Sequence, residues 1–232
     1  MDNIFSSTGN IIGIVSIAVS ILIPIVIAIT PKFRNFFLDI CAQIFSVRLH
    51  TKRYYDNVFM TKRIKKAKKT IRVVCVRNQR ISETDVVDKI REFIENQTDN
   101  IVEIYAISPK LDDCVLEQIM LTLPSPPLNV QNMKDQIEQY KSNLKSMVSK
   151  LSENNKRKIC YYEYKALPLI HLCQFDKNIY MGYQMFQRTE QENESLLKYA
   201  VKMRTNTKIG KLLLKQMDNL KNDSQTEKIN LT

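Results

Sequence analysis

The sequence predicts an α/β domain with a mixed, largely parallel sheet flanked by helices, preceded by one transmembrane helix. Residues 71–123 read as strand, helix, strand, helix, an alternation typical of right-handed crossovers between parallel strands. Three more strand-like runs follow between residues 158 and 186. An uncharged apolar run at residues 11–30 predicts the membrane helix.

The run at residues 11–30, IIGIVSIAVSILIPIVIAIT, contains twenty residues without a charge. At a helical rise of about 1.5 Å per residue, it spans a hydrocarbon core of roughly 30 Å. A cleaved signal peptide is one alternative, but residues 1–10 contain no basic residue and no small-residue cleavage site follows the run. A buried helix of a soluble domain is the other alternative.

The basic charge of the chain is concentrated in one segment. The formal net charge is +11, and residues 31–72 hold twelve lysines and arginines against two acids. The positive-inside rule then predicts a single-pass cell-membrane protein, with residues 1–10 outside and the C-terminal domain in the cytoplasm. Residues 31–70 become a basic juxtamembrane segment of amphipathic and linker helices. Its membrane-proximal basic residues are Lys62, Arg63, Lys65, Lys66, Lys68 and Lys69.

Membrane lipids are the expected partner of this basic segment, because clustered lysines next to a bilayer bind anionic headgroups. A solvated helix face is the alternative. Nucleic acid is not expected as a partner, since the chain itself would tie these residues to the membrane surface.

The cytoplasmic α/β domain is predicted at residues 71–220, with a flexible polar tail at 221–232. The run IRVVCV from Ile71 is short and β-branched, which suits a strand buried on both faces. SETDVVDKIREFIENQ has a Ser/Thr start and helical apolar spacing, and NIVEIYAI is the next strand. SPKLDDCVLEQIMLTL predicts a second helix with Pro109 in its first turn.

Two longer helices are predicted farther along the chain. Residues 130–151 carry apolar residues spaced alternately three and four apart. This stripe indicates either a coiled-coil seam or an amphipathic helix packed on its own domain. The last helix is predicted at residues 192–220, with a point of interruption at 206–210.

The stretch LPLIHLCQFDKNIYMGYQ, residues 167–184, reads as two strands joined by the turn residues Asp176, Lys177 and Asn178. Strand alternation places His171 on one face together with Cys173. A histidine on such a face is typical of a core or pocket residue, and an aspartate in a turn typically caps local amides.

Residues 63–187 resemble the phospholipase D-like family. In that family a helix ending in an A-K-K-x-I phrase leads into the first strand, as Ala67, Lys68, Lys69 and Ile71 do here. The family's catalytic phrase, H-x-K-x(4)-D, lies on a late strand and turn and is followed by a glycine. The resemblance implies the phospholipase D-like fold and a two-fold homodimer.

The catalytic phrase is not intact in this sequence. Asp176 falls at the aspartate position, and Gly182 stands one residue before the usual glycine. His171 occupies the lysine position and Leu169 the histidine position, where the family forms a phosphohistidine. Leucine has no lone pair for that step. This departure predicts a catalytically inactive domain that serves as a ligand-sensing or effector module. A small domain on a short membrane anchor suits bacterial signalling such as phage defence.

Two other functions remain open from the sequence. One is an active phosphodiesterase or lipase that uses His171 and Asp176 as catalytic residues at a dimer interface. The other is a membrane tether that recruits a protein through the helix at 130–151.

If the domain is a ligand-sensing module, its expected ligand is a nucleotide or a protein. The ligand-binding candidates are Tyr164, Lys165, Lys177, Gly182 and Tyr183, an aromatic and basic set able to stack a base and pair a phosphate.

No cofactor or metal is predicted. His50 and His171 are the two histidines of the chain, which leaves few ligands for a metal site. A glycine-rich phosphate loop and a serine-centred nucleophile elbow are both absent from the sequence.

Overall fold

The computed structural model describes residues 48–50, 56–121, 123, 126–166, 170–183 and 200–231 of the chain. By internal contacts the chain divides into two units, residues 1–46 and 47–232, and every described residue belongs to the second unit. The predicted segments 1–10 and 11–30 lie outside the described residues. So does the predicted basic segment up to residue 55, apart from residues 48–50.

The described part of the chain contains eight strands and six helices. The strands are β1 (Arg48–His50), β2 (Thr70–Val74), β3 (Ile101–Ile107), β4 (Ile159–Tyr164), β5 (Ile170–Phe175), β6 (Asn178–Tyr183), β7 (Ala200–Arg204) and β8 (Glu227–Ile229). The helices are α1 (Asn57–Ile64), α2 (Thr84–Glu95), α3 (Asp113–Met120), α4 (Val130–Ser149), α5 (Glu153–Lys156) and α6 (Lys208–Asn222).

All eight strands form one mixed sheet in the order β1-β7-β6-β5-β2-β3-β4-β8. Within it β2 pairs with β3 and β3 with β4 in parallel, while the other five described pairs are antiparallel. The prediction of a largely parallel sheet was therefore wrong. Helices connect β2 to β3 and β3 to β4, which allows these strands to pair in parallel. The two-residue turn between β5 and β6 is too short for such a crossover, so these strands pair antiparallel.

The predicted transmembrane helix in front of the sheet is not supported. Within the described ranges, no helix has both the length and the hydrophobicity needed to cross a bilayer. Residues 11–30, where that helix was predicted, lie outside these ranges. The cell-membrane localisation and the lipid partner depended on this helix, and they stay untested predictions.

Helix α1 is part of the domain and not of a linker before it. The Asp56 carboxylate caps the helix by accepting the Phe59 amide at 2.6 Å. Phe59, Met60 and Ile64 are buried in the core, and the Phe59 ring meets the edge of Tyr180 in β6 at 5.1 Å. The domain start predicted at residue 71 was therefore too late, because α1 covers the sheet.

The sheet has an apolar core on each face. One core joins α1, α2 and the C-terminal half of α4 to strand residues such as Val73 and Ile104. The other joins α3, the N-terminal half of α4 and α6 to residues such as Val74 and Ile107. Consecutive β2 residues thus face opposite cores, which confirms the prediction that this strand is buried on both faces.

The apolar stripe of α4 belongs to these cores. Met133 and Ile137 are fully buried in one core, and Leu144 and Met147 are buried in the other. The Asn129 side chain caps the helix by accepting the Asn132 amide at 2.8 Å. Of the two readings left open, the geometry favours an amphipathic helix on its own domain over a seam for a partner.

The region predicted as one helix at 192–220 contains a strand and a helix in its described part. Strand β7 lies between β1 and β6, and this pairing on both edges outweighs the weak helical preference of AVKMR. Helix α6 begins after Thr207, whose hydroxyl accepts the Gly210 amide at 3.0 Å. A side chain at position 210 would overlap the Arg204 carbonyl oxygen, so glycine permits the close approach.

The tail predicted to be flexible contains the edge strand β8. It pairs antiparallel with β4, with Ile229 opposite Tyr161. Leu231 beyond it is 5% exposed and packs into a core. That prediction was wrong for residues 227–231, because alternation of polar and apolar residues lets this short segment cover the edge of β4.

A buried carboxylate helps to hold α6 on the sheet. Glu103 of β3 has no exposed surface, and its oxygens lie 2.6 Å from Arg72 Nε and 2.6 Å from Lys221 Nζ. The Tyr105 hydroxyl donates to the same carboxylate at 3.1 Å, and Arg72 also pairs with Asp218 of α6 at 3.2 Å. Burial and the neighbouring Glu103 raise the pKa of Tyr105, so its hydroxyl stays a donor.

Removing the two cations should destabilise the domain more than removing the carboxylate. Arg72→Met with Lys221→Met leaves Glu103 buried without a counter-charge, which typically costs about 3–5 kcal/mol. Glu103→Gln leaves cations that reach solvent, so we expect a loss of about 1 kcal/mol. Urea unfolding of the three proteins measures both losses, and equal losses would contradict this account.

Candidate functional site

His171 is the second residue of β5 and lies opposite Gly182 of β6. Its side chain is 3% exposed, which agrees with the predicted core or pocket residue. Burial lowers the pKa of His171 to about 3, so the imidazole is neutral near pH 7. A neutral imidazole has no charge with which to hold a phosphate.

The pairing of β5 with β2 brings His171 to the carboxyl end of the parallel strands. The register places Leu172 opposite Val74, and one further step places His171 beside Cys75, just after β2. The carboxyl ends of parallel strands are where open α/β sheets bind their ligands. The residues at this end of the sheet are therefore the first candidate functional site.

A hydrogen-bonded cluster, the strand-end cluster, fills this position. The Cys75 thiol donates to Asn78 Oδ1 at 2.6 Å, and Asn78 Nδ2 donates to the Tyr161 hydroxyl at 2.6 Å. The Tyr164 hydroxyl donates to the Cys75 carbonyl at 3.0 Å. All four side chains are buried, and burial raises the pKa of both tyrosines, so their hydroxyls remain protonated.

Asn78 shapes the loop that follows β2. Its φ of 58° lies in the left-handed region, which asparagine tolerates better than most residues. This conformation turns the backbone so that the side chain reaches both Cys75 and Tyr161. The loop thus orders the cluster, and the cluster in turn satisfies the polar groups of the loop.

A second polar group lies at the ends of β3 and β4. Glu163 is 1% exposed, and its carboxylate accepts from Lys141 Nζ of α4 at 2.9 Å and from the Ser108 hydroxyl at 3.5 Å. Lys141 also donates to Glu138 at 2.7 Å. Burial lowers the pKa of Lys141, but these hydrogen bonds outweigh it and raise the value. The ammonium therefore remains a counter-charge for Glu163.

Asp176 is a structural anchor. One carboxylate oxygen accepts the Lys68 amide at 2.8 Å, and the other accepts the Lys69 and Thr70 amides at 2.8 and 2.9 Å. The Asp176 amide donates back to the Thr70 carbonyl at 2.8 Å, and its φ is 51°. We predicted an aspartate that caps local amides, but the amides it binds are more than a hundred residues away in the chain.

The structure does not bring His171 and Asp176 together within one chain. They are five residues apart on an extended strand and its turn, which corresponds to roughly 16 Å along the chain. His171 belongs to the carboxyl end of β2, while Asp176 binds residues at its amino end.

The predicted ligand-binding residues are also divided between these two ends. Tyr164 belongs to the strand-end cluster, and Gly182 lies opposite His171. Lys165 Nζ is 3.6 Å from Glu227, whereas Lys177 is exposed in the β5–β6 turn. Tyr183 ends β6, and its side chain is outside the described part of the structure.

The predicted basic residues lie at the amino end of β2. Arg63 differs from the lysines, because its guanidinium lies over the Phe59 and Tyr180 rings at 5.5 and 5.0 Å. The lysines are exposed, including Lys62 on α1. Together with the hairpin turn and the end of β7 they form what we call the basic end: Lys65, Lys66, Lys68, Lys69, Lys177 and Arg204.

Sequence reasoning missed the strand-end cluster. Cys75 and Asn78 are three residues apart, and no motif marks them as partners of Tyr161 and Tyr164. An asparagine just after a buried strand was the one available signal, since this residue type favours left-handed loop positions.

Within the described ranges, no group of three or more metal-ligating side chains is arranged to hold an ion.

Comparison with known proteins gives fold likeness only. No protein-family model and no curated protein matches the chain. The chain is similar to TrmBL2, an archaeal chromatin protein described as showing a novel mode of DNA binding, with 8% identity, a TM-score of 0.42, and coverage of 98% of this chain and 66% of that one. It is also similar to phosphatidylserine synthase from Haemophilus influenzae Rd KW20, with 13% identity, a TM-score of 0.47, and coverage of 79% and 39%.

The chain thus spans less than two thirds of the length of both similar structures. At these TM-scores neither likeness carries an argument about activity, substrate or partner. The function must therefore be argued from the residues of this chain.

Asp176→Asn should destabilise the domain by about 2 kcal/mol. Asparagine tolerates the left-handed φ but offers one acceptor oxygen and no charge, and hydrogen bonds to a charged group contribute about 1.5–3 kcal/mol each. Chemical denaturation measures the loss. Asp99→Asn in the exposed loop before β3 is the matched control, with an expected change within about 0.5 kcal/mol. Similar values for both variants would show that the anchor is unimportant.

His171 should make the domain less stable as the pH falls below about 6.5. Its pKa of about 3 in the folded state lies below the unfolded value, so below the unfolded pKa only the unfolded chain takes up the proton. Stability is lost by about 1.4 kcal/mol per pH unit in this window through this group alone. His171→Gln should remove that slope in denaturation between pH 4 and pH 7. An unchanged slope would mean that His171 is protonated in the fold.

Proposed function

We propose that this domain is a phospholipase D-like binding module that does not hydrolyse phosphodiesters and acts as a ligand-sensing or effector domain. The state of His171 is the observation that carries the proposal. This residue stands where the resemblance requires a lysine, and it is buried and neutral. Leu169 stands where the family has its nucleophile. A neutral imidazole at the lysine position lacks the charge that holds the phosphate, and leucine at the nucleophile position lacks the lone pair that attacks it.

The use of Asp176 supports the same proposal. A catalytic aspartate needs at least one carboxylate oxygen directed at a proton or a partner side chain. Both oxygens of Asp176 instead accept backbone amides at the start of β2. The residue is thus explained by its contribution to the fold.

The strand-end cluster is a further support. At the position where an α/β sheet usually receives its ligand, Cys75, Asn78, Tyr161 and Tyr164 bond to one another and are shielded from solvent. A buried polar network of this kind stabilises a unique packing, and its bonded groups are engaged with one another. Hydrolysis would require this network to open.

The competing function is a phosphodiesterase that uses His171 and Asp176 from two subunits. It requires an exposed, basic His171, and burial works against both requirements. The third function, partner recruitment through α4, requires an apolar stripe that the domain core already uses. The binding module is the function that fits the geometry best.

Hydrolysis assays on the purified chain test the proposal. We expect no turnover of bis(p-nitrophenyl) phosphate, phospholipid vesicles or nucleic acid above the level of a blank. Wild type is compared with His171→Gln and with Leu172→Val, a control variant at the adjacent β5 residue that faces the other core. Turnover that disappears in His171→Gln and persists in Leu172→Val at matched folding would overturn the proposal in favour of the enzyme.

A further inference from the structure

We propose that the basic end binds the phosphodiester backbone of nucleic acid. This inference deepens the proposed function by naming the ligand class, and it rests on that function in one respect, that the bound strand is not cut. The basic end is far from the strand-end cluster, since the two lie at opposite ends of β2. The sequence singled out its lysines at residues 65–69 and Lys177, but as two separate sets.

Hydrogen bonds to backbone amides hold the three segments of the basic end together. The Asp176 carboxylate binds the amides of Lys68, Lys69 and Thr70, which ties the α1–β2 loop to the hairpin turn. The next residue, Lys177, accepts the Thr205 amide at 3.0 Å through its carbonyl. Three segments that are distant in sequence therefore carry their cations on one framework, so the fold fixes the backbone positions from which these side chains extend.

The cations of the basic end are available to a ligand. All six side chains are exposed, and within the described ranges none of them forms an ion pair. The carboxylate of Asp176 is occupied by backbone amides, and Asp99 is the acid of the neighbouring loop before β3. Elsewhere on the domain, lysines such as Lys89 and Lys156 are paired with acids on their own helices. The basic end thus concentrates uncompensated positive charge.

Helix α6 adds to the positive potential at this end. It begins at Lys208, four residues after Arg204, and has no acidic residue in its first turn. The amino end of a helix carries a partial positive charge that attracts phosphate. Thr207 and Gly210 fix this end of the helix against the carbonyl of Arg204.

The surroundings of the cations favour nucleic acid over a protein. The exposed or half-exposed residues between them are polar: Thr70, Asn178, Thr205 and Asn206. Such side chains, together with lysine and arginine, make the phosphate and sugar contacts of nucleic-acid complexes. A stable protein interface would need an apolar centre. Ala67, the apolar residue among the lysines, is instead buried in the core.

Nucleic acid is also favoured over lipid headgroups as the ligand of the basic end. Lipid headgroups were preferred from the sequence because a membrane helix would hold the lysines at the bilayer, and residues 11–30, where that helix was predicted, lie outside the described part of the chain. The exposed residues between the cations are polar, and the exposed Ile209 after Lys208 does not form the continuous apolar face that interfacial binding uses. Repeated phosphates along a polymer can pair with several neighbouring cations at once.

Fluorescence anisotropy with the full chain tests the inference. The probes are a labelled duplex and a labelled single strand of about twenty nucleotides, titrated at several salt concentrations. We expect the logarithm of affinity to fall with the logarithm of salt with a slope of about 4 to 5 for duplex. The variant Lys66→Gln, Lys69→Gln, Lys177→Gln should reduce this slope by about 3 and lower affinity at least about tenfold.

The control variant removes the same charge from other exposed surfaces, by Lys145→Gln, Lys150→Gln and Lys215→Gln. It should bind almost as well as wild type. If both variants lose the same affinity for the probes, the effect depends on net charge alone and the inference is overturned. Absence of binding by wild type at low salt would also overturn it. Selective binding of phosphatidylserine vesicles would assign the surface to lipid instead. Cleavage of the probe on a gel would contradict the proposed function and leave the binding result standing.

Discussion

The carboxylate of Asp176 is the contact on which the arrangement of the domain depends. Three consecutive amides at the start of β2 point at one turn, and an ionised carboxylate satisfies all three at once. This contact sets the β5–β6 hairpin against β2, and the register of the central antiparallel pair follows from it. That register carries His171 to one end of the sheet and leaves Lys177 at the other.

The elements that the sequence predicted well are those whose signal is local. Helices α2 and α4 have strong apolar periodicity, and the parallel strands β2 and β3 appear as runs rich in β-branched residues. Strand direction was predicted badly, because periodicity is the same in parallel and antiparallel pairs. The five residues AVKMR of β7 show the same limit, since their conformation is decided by β1 and β6 on either side.

The candidate sites show a different limit. Burial of His171 followed from the face on which strand alternation put it, so sequence was enough. Asp176 was recognised as a turn residue, but its partners lie more than a hundred residues away and no spacing reveals them. Asn78 belongs to no motif, and its role depends on a left-handed loop conformation and on Tyr161 in another strand. Contacts between distant segments thus account for most of what the sequence left open.

Strand β8 covers an edge of the sheet that would otherwise be open to pairing. It covers β4, whose sequence ICYYEY is apolar, aromatic and buried, and which would otherwise be the outer strand of the sheet. An uncovered strand of this composition is a template for pairing with other chains. The exposed edge is instead three residues long and carries Glu227 and Lys228. Strand β8 therefore blocks β4 from pairing with other chains, and removal of residues 227–231 would expose an edge prone to self-association.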